Sequence, residues 1–324
     1  MLSRSHFVLA LKLVVGLTLT GALLSRMDWV ALGSALRQYT PGAILAALAL
    51  TAMSMFIAGL RWKVLAPEIR FSRLLKFTLI GQFYSLVLPG QISGDAVRAW
   101  RISRGVDNRA RVAMSVLADR VVGLVALLLV SIVGLALSTD DFARKILPPV
   151  VVLTAGIVAV LLLLRLAFVR LTLTSFVTTA GNLIPGTRTL SDKLGVLILA
   201  WCDATNDLRA VAMSLILGIV FQLMGVAIFA ILASCLAIEL GWGDWMWIAG
   251  MTTIALLLPI TLGGLGVREG TLMVILAQYS VPGEKAIALS FGLLSMSAAV
   301  ALAGWLADVT ESTRPVPPDS ARSR

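Results

Sequence analysis

Residues 88–98 read LPGQISGDAVR, and residues 258–268 read LPITLGGLGVR. Leu, Pro, Gly, Val and Arg recur at the same offsets, and Ser93 and Ala96 are answered by Gly263 and Gly266. Both stretches interrupt an apolar run and close on an arginine, Arg98 or Arg268. Proline removes a backbone donor, and glycine admits tight turns and close approach, so each stretch breaks a helix. The chain makes this break twice, 170 positions apart.

The surrounding sequence says what kind of helix is broken. Of the 324 residues, 59% are hydrophobic and 14% charged, and the mean hydropathy is +0.95. A soluble domain carries about 25% charged residues. Several segments approach or exceed the ~20 apolar residues that span a bilayer. The composition therefore defines an all-α polytopic membrane protein, a single membrane domain over 1–308 with halves of about 1–140 and 141–308. The Pro-, Ser- and Arg-rich end, 309–324, is expected to be a disordered cytoplasmic tail. The net charge of +10 is distributed among the connections between apolar segments, with no basic domain standing clear of them, which argues against a nucleic-acid partner. One histidine, His6, and two isolated cysteines, Cys202 and Cys235, leave no basis for a metal, a cofactor or a histidine-based triad. Lys12 interrupts the first apolar stretch and SRMDW offers no small-residue cleavage site, so a retained first helix is expected over a signal peptide.

The apolar segments are approximately 7–25, 42–60, 77–97, 112–137, 147–164, 210–237, 245–262, 267–281 and 286–307. Five Lys/Arg lie in 61–76 and five in 98–111, so both stretches fall inside under the positive-inside rule. Segment 77–97 then leaves and re-enters the same side. Twenty-one residues cannot cross twice, so this is a re-entrant hairpin, which is tolerated where protein or a wet cavity surrounds it. Following the chain onward makes 245–281 a second hairpin, entering from the opposite face. Eighteen of the 27 Lys/Arg then lie inside and five outside, which supports this topology and places both termini in the cytoplasm of an inner (plasma) membrane. The architecture is six full spans plus two re-entrant broken-helix hairpins in an inverted repeat. That is the pattern of secondary transporters, whose sites lie at the repeat interface. Residues 190–208 are expected to lie as a helix at the membrane surface.

Polar residues are few enough to weigh singly. Pro89, Gly90 and Gly94 shape the first break, and Asp95 and Arg98 follow it, either lining a headgroup site or simply pairing at i,i+3. Pro259, Gly263, Gly264 and Gly266 shape the second break, beside Arg268 and Glu269. An unpaired arginine at mid-bilayer costs about 2.5–3.5 kcal/mol, so Arg268 should face a cavity or a partner; Glu269 reads either as its neutralising neighbour or as a protonatable coupling group. Asp119 and Arg120 sit inside the span 112–137. Adjacent helical residues project about 100° apart, so either at least one of the two finds a partner elsewhere, Asp119 with Arg98 or Arg268 as candidates, or both snorkel to the cytoplasmic interface. Gln222 reads as helix–helix glue, and Trp242, Trp245 and Trp247 as an interfacial aromatic belt. No nucleophile–base set, carboxylate pair or phosphate loop with a following Lys-Ser/Thr is present, so no catalytic residue is expected.

FYSLVLPGQISGDAVRAWRI, VLADRVVGL and LPITLGGLGVREG together resemble the signature stretches of the lysylphosphatidylglycerol synthase transmembrane-region family, also called flippase-like. The resemblance covers roughly residues 7 to 308. It implies that Asp95, Arg98, Asp119, Arg120, Arg268 and Glu269 are the polar motif positions. Gln91-Ile92-Ser93 departs from the more glycine-rich run that members often carry. Some members fuse this module to an aminoacyltransferase and move aminoacylated phosphatidylglycerol between leaflets. No such domain follows within these 324 residues, so the resemblance implies transport rather than synthesis. The expected function is a lipid flippase acting on an anionic or aminoacylated phospholipid or a lipid-linked headgroup, with a separately encoded lipid-modifying enzyme as an associated partner. Two alternatives stand beside it: an accessory subunit or enzyme of glycolipid or aminoacyl-lipid synthesis, and a small-solute secondary transporter.

Overall fold

The two sequence breaks appear as helix–break–helix units of the same size. In the computed structural model, which describes residues 29–88, 92–103, 108–163, 205–258 and 263–312 together with residues 175, 201, 202 and 261, all regular structure is helical. The helices are α1 (Trp29–Leu36), α2 (Pro41–Leu65), α3 (Phe71–Val87), α4 (Ile92–Ile102), α5 (Arg109–Leu137), α6 (Asp141–Leu163), α7 (Leu208–Cys235), α8 (Trp242–Leu257), α9 (Val267–Ala277) and α10 (Gly283–Ser312). Caps set several of these starts. Thr40 accepts from the Ala43 amide with proline next at the first helical position, Asn108 accepts from Arg111, and Asp207 accepts from Arg209 and Ala210.

Five helices, α2, α5, α6, α7 and α10, are long and apolar enough to span a membrane. The sixth expected span, 7–25, lies outside the described residues, as do 313–324 and most of 190–208. The hairpin helices are shorter. At 1.5 Å per residue, α3 and α8 reach about 25 Å, and α4 and α9 about 16 Å, short of the ~30 Å hydrocarbon core. The first hairpin is longer than the apolar run predicts. α3 begins at Phe71 and α4 continues to Ile102, because polar residues on an amphipathic helix hide its ends from a hydropathy reading. α1, which buries Leu32 and Ala35, is not anticipated by the sequence reading.

The repeat is visible in the packing. Moving α2, α3 and α5 forward by 170 positions lands them on α7, α8 and α10. α2 packs on α7, its counterpart. α3 packs on α10 and α5 on α8, so the last span of each half holds the hairpin of the other. Both of these crossings turn on a glycine at the same repeat position. A Cβ at Gly134 would sit 2.6 Å from the Gly243 carbonyl oxygen, and one at Gly304 would run into the Leu79 carbonyl.

Four residues beyond each glycine comes a polar tie to the opposite hairpin. Ser138 donates to Asp244 at 2.5 Å, and Tyr279 donates to the same carboxylate oxygen at 2.8 Å. At the other end of the bundle, Asp308 accepts from Tyr84 at 2.8 Å and pairs with Arg101.

Gly134→Ala and Gly304→Ala should each cost about 1–3 kcal/mol of stability by overpacking, read as a lower melting temperature in detergent. Gly156→Ala on α6 has open space at the Cβ position and should leave stability unchanged or slightly raised. Equal melting of all three variants would mean that the crossings tolerate a wider separation.

The tryptophan belt is corrected. Trp242 is exposed, but Trp245 and Trp247 are buried in the core, against Phe229 and against Phe142 and Tyr279 respectively. An aromatic residue near a span end suits either place, and here α5, α7 and α9 close over two of the three.

Candidate functional site

Asp119 is the centre of a buried ion-pair knot. It lies on α5 at 1% exposure. Its Oδ1 accepts from Arg61 Nε at 2.7 Å and its Oδ2 from Arg98 Nη2 at 2.8 Å. The Arg98 guanidinium stacks on the Trp62 ring at 3.8 Å, and Trp62 donates its indole N–H to Ser115 at 3.0 Å. Asp95 approaches Arg98 to 3.9 Å and forms an ion pair with Arg120. Three arginines and two carboxylates thus tie α2, α4 and α5 together.

Four of these five residues, Asp95, Arg98, Asp119 and Arg120, stand out in the sequence itself. The fifth, Arg61, reads in the sequence only as a cation of the polar stretch 61–76. α2 runs on to Leu65, two residues before Pro67, which places Arg61 inside the helix. Because the residue before a proline is biased against helix, Pro67 was the available signal that the helix extends that far. Room for the guanidinium comes from Gly123, where a Cβ would lie 2.9 Å from Arg61 Nη1. Gln222 does act as glue, with its amide donating to the Gly123 carbonyl at 3.4 Å.

Gly94 is not in a loop. It lies within α4 where the helix crosses α3, and a Cβ there would strike the Gly81 carbonyl and Ser85. Pro89, Gly90 and Pro259 lie outside the described residues. In the second break, Gly263, Gly264 and Gly266 all adopt positive φ, between 58° and 80°, a turn that an L-side chain rarely follows.

That turn sets up α9 and separates Arg268 from Glu269. Glu269 makes no ion-pair contact with Arg268, although its charge still acts on the guanidinium. The Glu269 carboxylate folds back over the start of α9, accepting from the Gly266 amide at 2.7 Å and from Ser290 Oγ at 2.7 Å. Neighbouring helical residues diverge by about 100°, so the Arg268 guanidinium goes elsewhere. It is 7% exposed, its Nη1 has no partner, and its Nη2 reaches the Gly263 carbonyl only at 3.4 Å. No described carboxylate is within ion-pair distance of it.

Arg268 lines a cavity of about 230 Å³ among α2, α3, α7, α8 and α10, with Thr51, Ser54, Gln82, Thr252 and Ser297 as polar neighbours. It is the one charged side chain in that lining among the described residues. Thr51, Met55 and Val300 also line an adjoining groove of about 350 Å³ between α2, α3 and α10, whose other walls include Leu48, Phe56, Leu79 and Ala303. The knot and the cavity share the Phe221 ring as a boundary, since Arg61 lies over it at 5.5 Å and the cavity takes it as a wall. Asp95 and Arg120 line a separate apolar pocket of about 420 Å³ between α4 and α5. The six residues singled out by sequence therefore do not converge on one cavity. Four belong to the knot, Glu269 caps a helix, and Arg268 faces the space.

These features define a polytopic helical membrane protein with two opposed re-entrant hairpins and a buried cationic cavity. The chain belongs to the lysylphosphatidylglycerol synthase TM region family, whose profile matches residues 9–304 and implies a role connected with membrane lipids. No curated protein matches the sequence.

Proposed function

We propose that this protein is a lipid flippase that carries an anionic lipid headgroup between the leaflets of the inner (plasma) membrane, with both termini cytoplasmic. The observation that supports it most is the Arg268 cavity. A buried guanidinium with a free N–H, and with no carboxylate in ion-pair contact among the described residues, sits in a space that continues into an apolar groove. A headgroup phosphate supplies the missing anion, and an acyl chain lies in the groove without leaving an apolar medium. The paired hairpins, each clasped by the last span of the other half, give two related packings between which access alternates. In this reading the protein moves lipid made elsewhere, by a separate lipid-modifying enzyme, and does not alter it.

The test is reconstitution into vesicles carrying a fluorescent phosphatidylglycerol, with an impermeant quencher added outside. In protein-free vesicles only the outer-leaflet label is lost. Active protein should render the inner-leaflet label accessible within minutes. Quenching that stops at the protein-free level would overturn the reading.

A further inference from the structure

We infer that the polar ties at the two ends of the bundle are gates to the cavity, one opening while the other stays shut. On the proposed topology Ser138, Asp244 and Tyr279 close the outer side, and Tyr84, Arg101 and Asp308 the cytoplasmic side. This deepens the flippase reading and rests on it for the cargo, while the opening itself is separately measurable.

Position in the repeat is the first argument. Ser138 and Asp308 lie 170 positions apart, the offset that relates the two hairpins. In each tie one carboxylate joins the last span of one half to both limbs of the opposite hairpin. Asp244, in the first turn of α8, accepts from Ser138 at the end of α5 and from Tyr279 just beyond α9. Asp308, on α10, accepts from Tyr84 on α3 and pairs with Arg101 on α4. The chemistry is not copied. The carboxylate sits on the hairpin in one tie and on the span in the other, and Arg101 has no counterpart in the outer tie. What recurs is a tie at that place.

The ties differ in kind from the Asp119 knot. Asp119 is 1% exposed, whereas the Arg101 and Asp308 side chains keep 20% and 12% exposure, and Asp244 and Tyr279 are half-buried. Water reaches these groups, so a broken bond is exchanged for one to solvent and its net cost is small. An opening of that cost is populated in the resting protein and falls in the range of hinge motions. The knot has no such exchange. It keeps α4 fixed to α2 and α5 while the ends of the bundle open.

The cavity lies between the two ties and is built from the helices they hold. Gln82 comes from α3, Thr252 from α8 and Met296 from α10. Thr51, Ser54, Thr252 and Arg268 in its lining are each between 1% and 7% exposed. With both ties made, the polar lining is shut away from water, and the structure is the occluded form of the cycle. Alternating access then requires that the ties break one at a time.

Sided labelling of the full chain tests this. In a background of Cys202→Ser and Cys235→Ser, Ser54→Cys puts a thiol of nearly the same size in the cavity. A membrane-impermeant sulfonate thiol reagent is applied to right-side-out and to inside-out membrane vesicles. Ser138→Ala with Tyr279→Phe should raise labelling from the outside about fivefold or more, since each lost hydrogen bond shifts an equilibrium by about two- to tenfold. Labelling from the cytoplasmic side should stay level or fall. Tyr84→Phe with Arg101→Gln should do the reverse. Labelling unchanged by both pairs, or raised from both sides by either, would make the ties structural and overturn the inference. A second arm needs no weakened protein. Ser138→Cys with Asp244→Cys, bridged by a reducible bifunctional thiol reagent, should stop lipid exchange in vesicles until the bridge is reduced. Exchange that continues across the bridge would also sink the gate. The flippase reading fails separately: sided labelling as stated, with no lipid label crossing in the wild type, leaves the gates standing and removes the lipid cargo.

Discussion

Asp119→Ala is expected to be the most damaging single substitution in the described bundle, costing about 3–5 kcal/mol. The carboxylate is 1% exposed and both of its oxygens are engaged, at 2.7 and 2.8 Å. Removing it leaves Arg61 a buried, uncompensated cation on α2, and leaves Arg98 on α4 with only the Asp95 carboxylate at 3.9 Å. That loss is a large fraction of a native stability on the order of 5–15 kcal/mol. Asp119→Asn should be nearly as harmful despite equal volume, because the amide nitrogen turns a donor toward one of the two arginines. Thermal unfolding in detergent, with size-exclusion profiles to report dispersion, measures the effect as a drop on the order of 10 °C. Added salt should not restore it, since buried pairs are little screened. A triple change, Asp119→Leu with Arg61→Met and Arg98→Met, should recover most of the stability, because a fully apolar replacement leaves no orphaned charge. If Asp119→Ala melts with the wild type, the knot does not hold the first hairpin to its neighbours.

Much of this architecture is legible before any coordinates. The repeat of Leu, Pro, Gly, Val and Arg across 88–98 and 258–268, combined with where the arginines fall, is enough to give two hairpins of opposite sense. Backbone breaks need Pro and Gly, and topology follows cationic residues, so both signals are local in sequence. Partner choice is not local. Arg61 finds Asp119 across 58 positions, and nothing near Arg61 distinguishes a helix-end cation that snorkels from one that turns inward. Gly134 and Gly304 are each one of several glycines in an apolar helix. Their shared role appears only once α5 is seen against α8 and α10 against α3. Arg268 and Glu269 show the same limit at shorter range. Adjacency suggests mutual neutralisation, but a glycine turn with positive φ fixes the start of α9, and that start sends one side chain to the helix cap and the other into a cavity.

Arg268→Leu is expected to raise stability while abolishing transport, the opposite sign on stability to Asp119 although both are buried charges. The difference lies in the partners. Asp119 answers two cations, whereas Arg268 has an unpartnered Nη1 and one long contact to the Gly263 carbonyl at 3.4 Å. Folding therefore bears the cost of sequestering its charge with little return. Replacing it with an apolar side chain should recover about 1–3 kcal/mol, the mid-membrane cost of an arginine less what cavity water restores. Melting in detergent should accordingly rise by a few degrees. Lipid exchange in vesicles should fall to the protein-free level, because the phosphate would enter an uncharged cavity. Arg268→Lys should retain part of the exchange, since an ammonium keeps the charge but loses the planar, forked donor geometry. Such a pairing of higher stability with lost activity marks a residue kept for function at the expense of the fold. A variant that unfolds more readily than the wild type would instead make Arg268 a structural element of the second hairpin, and the cavity would lose its claim to the headgroup.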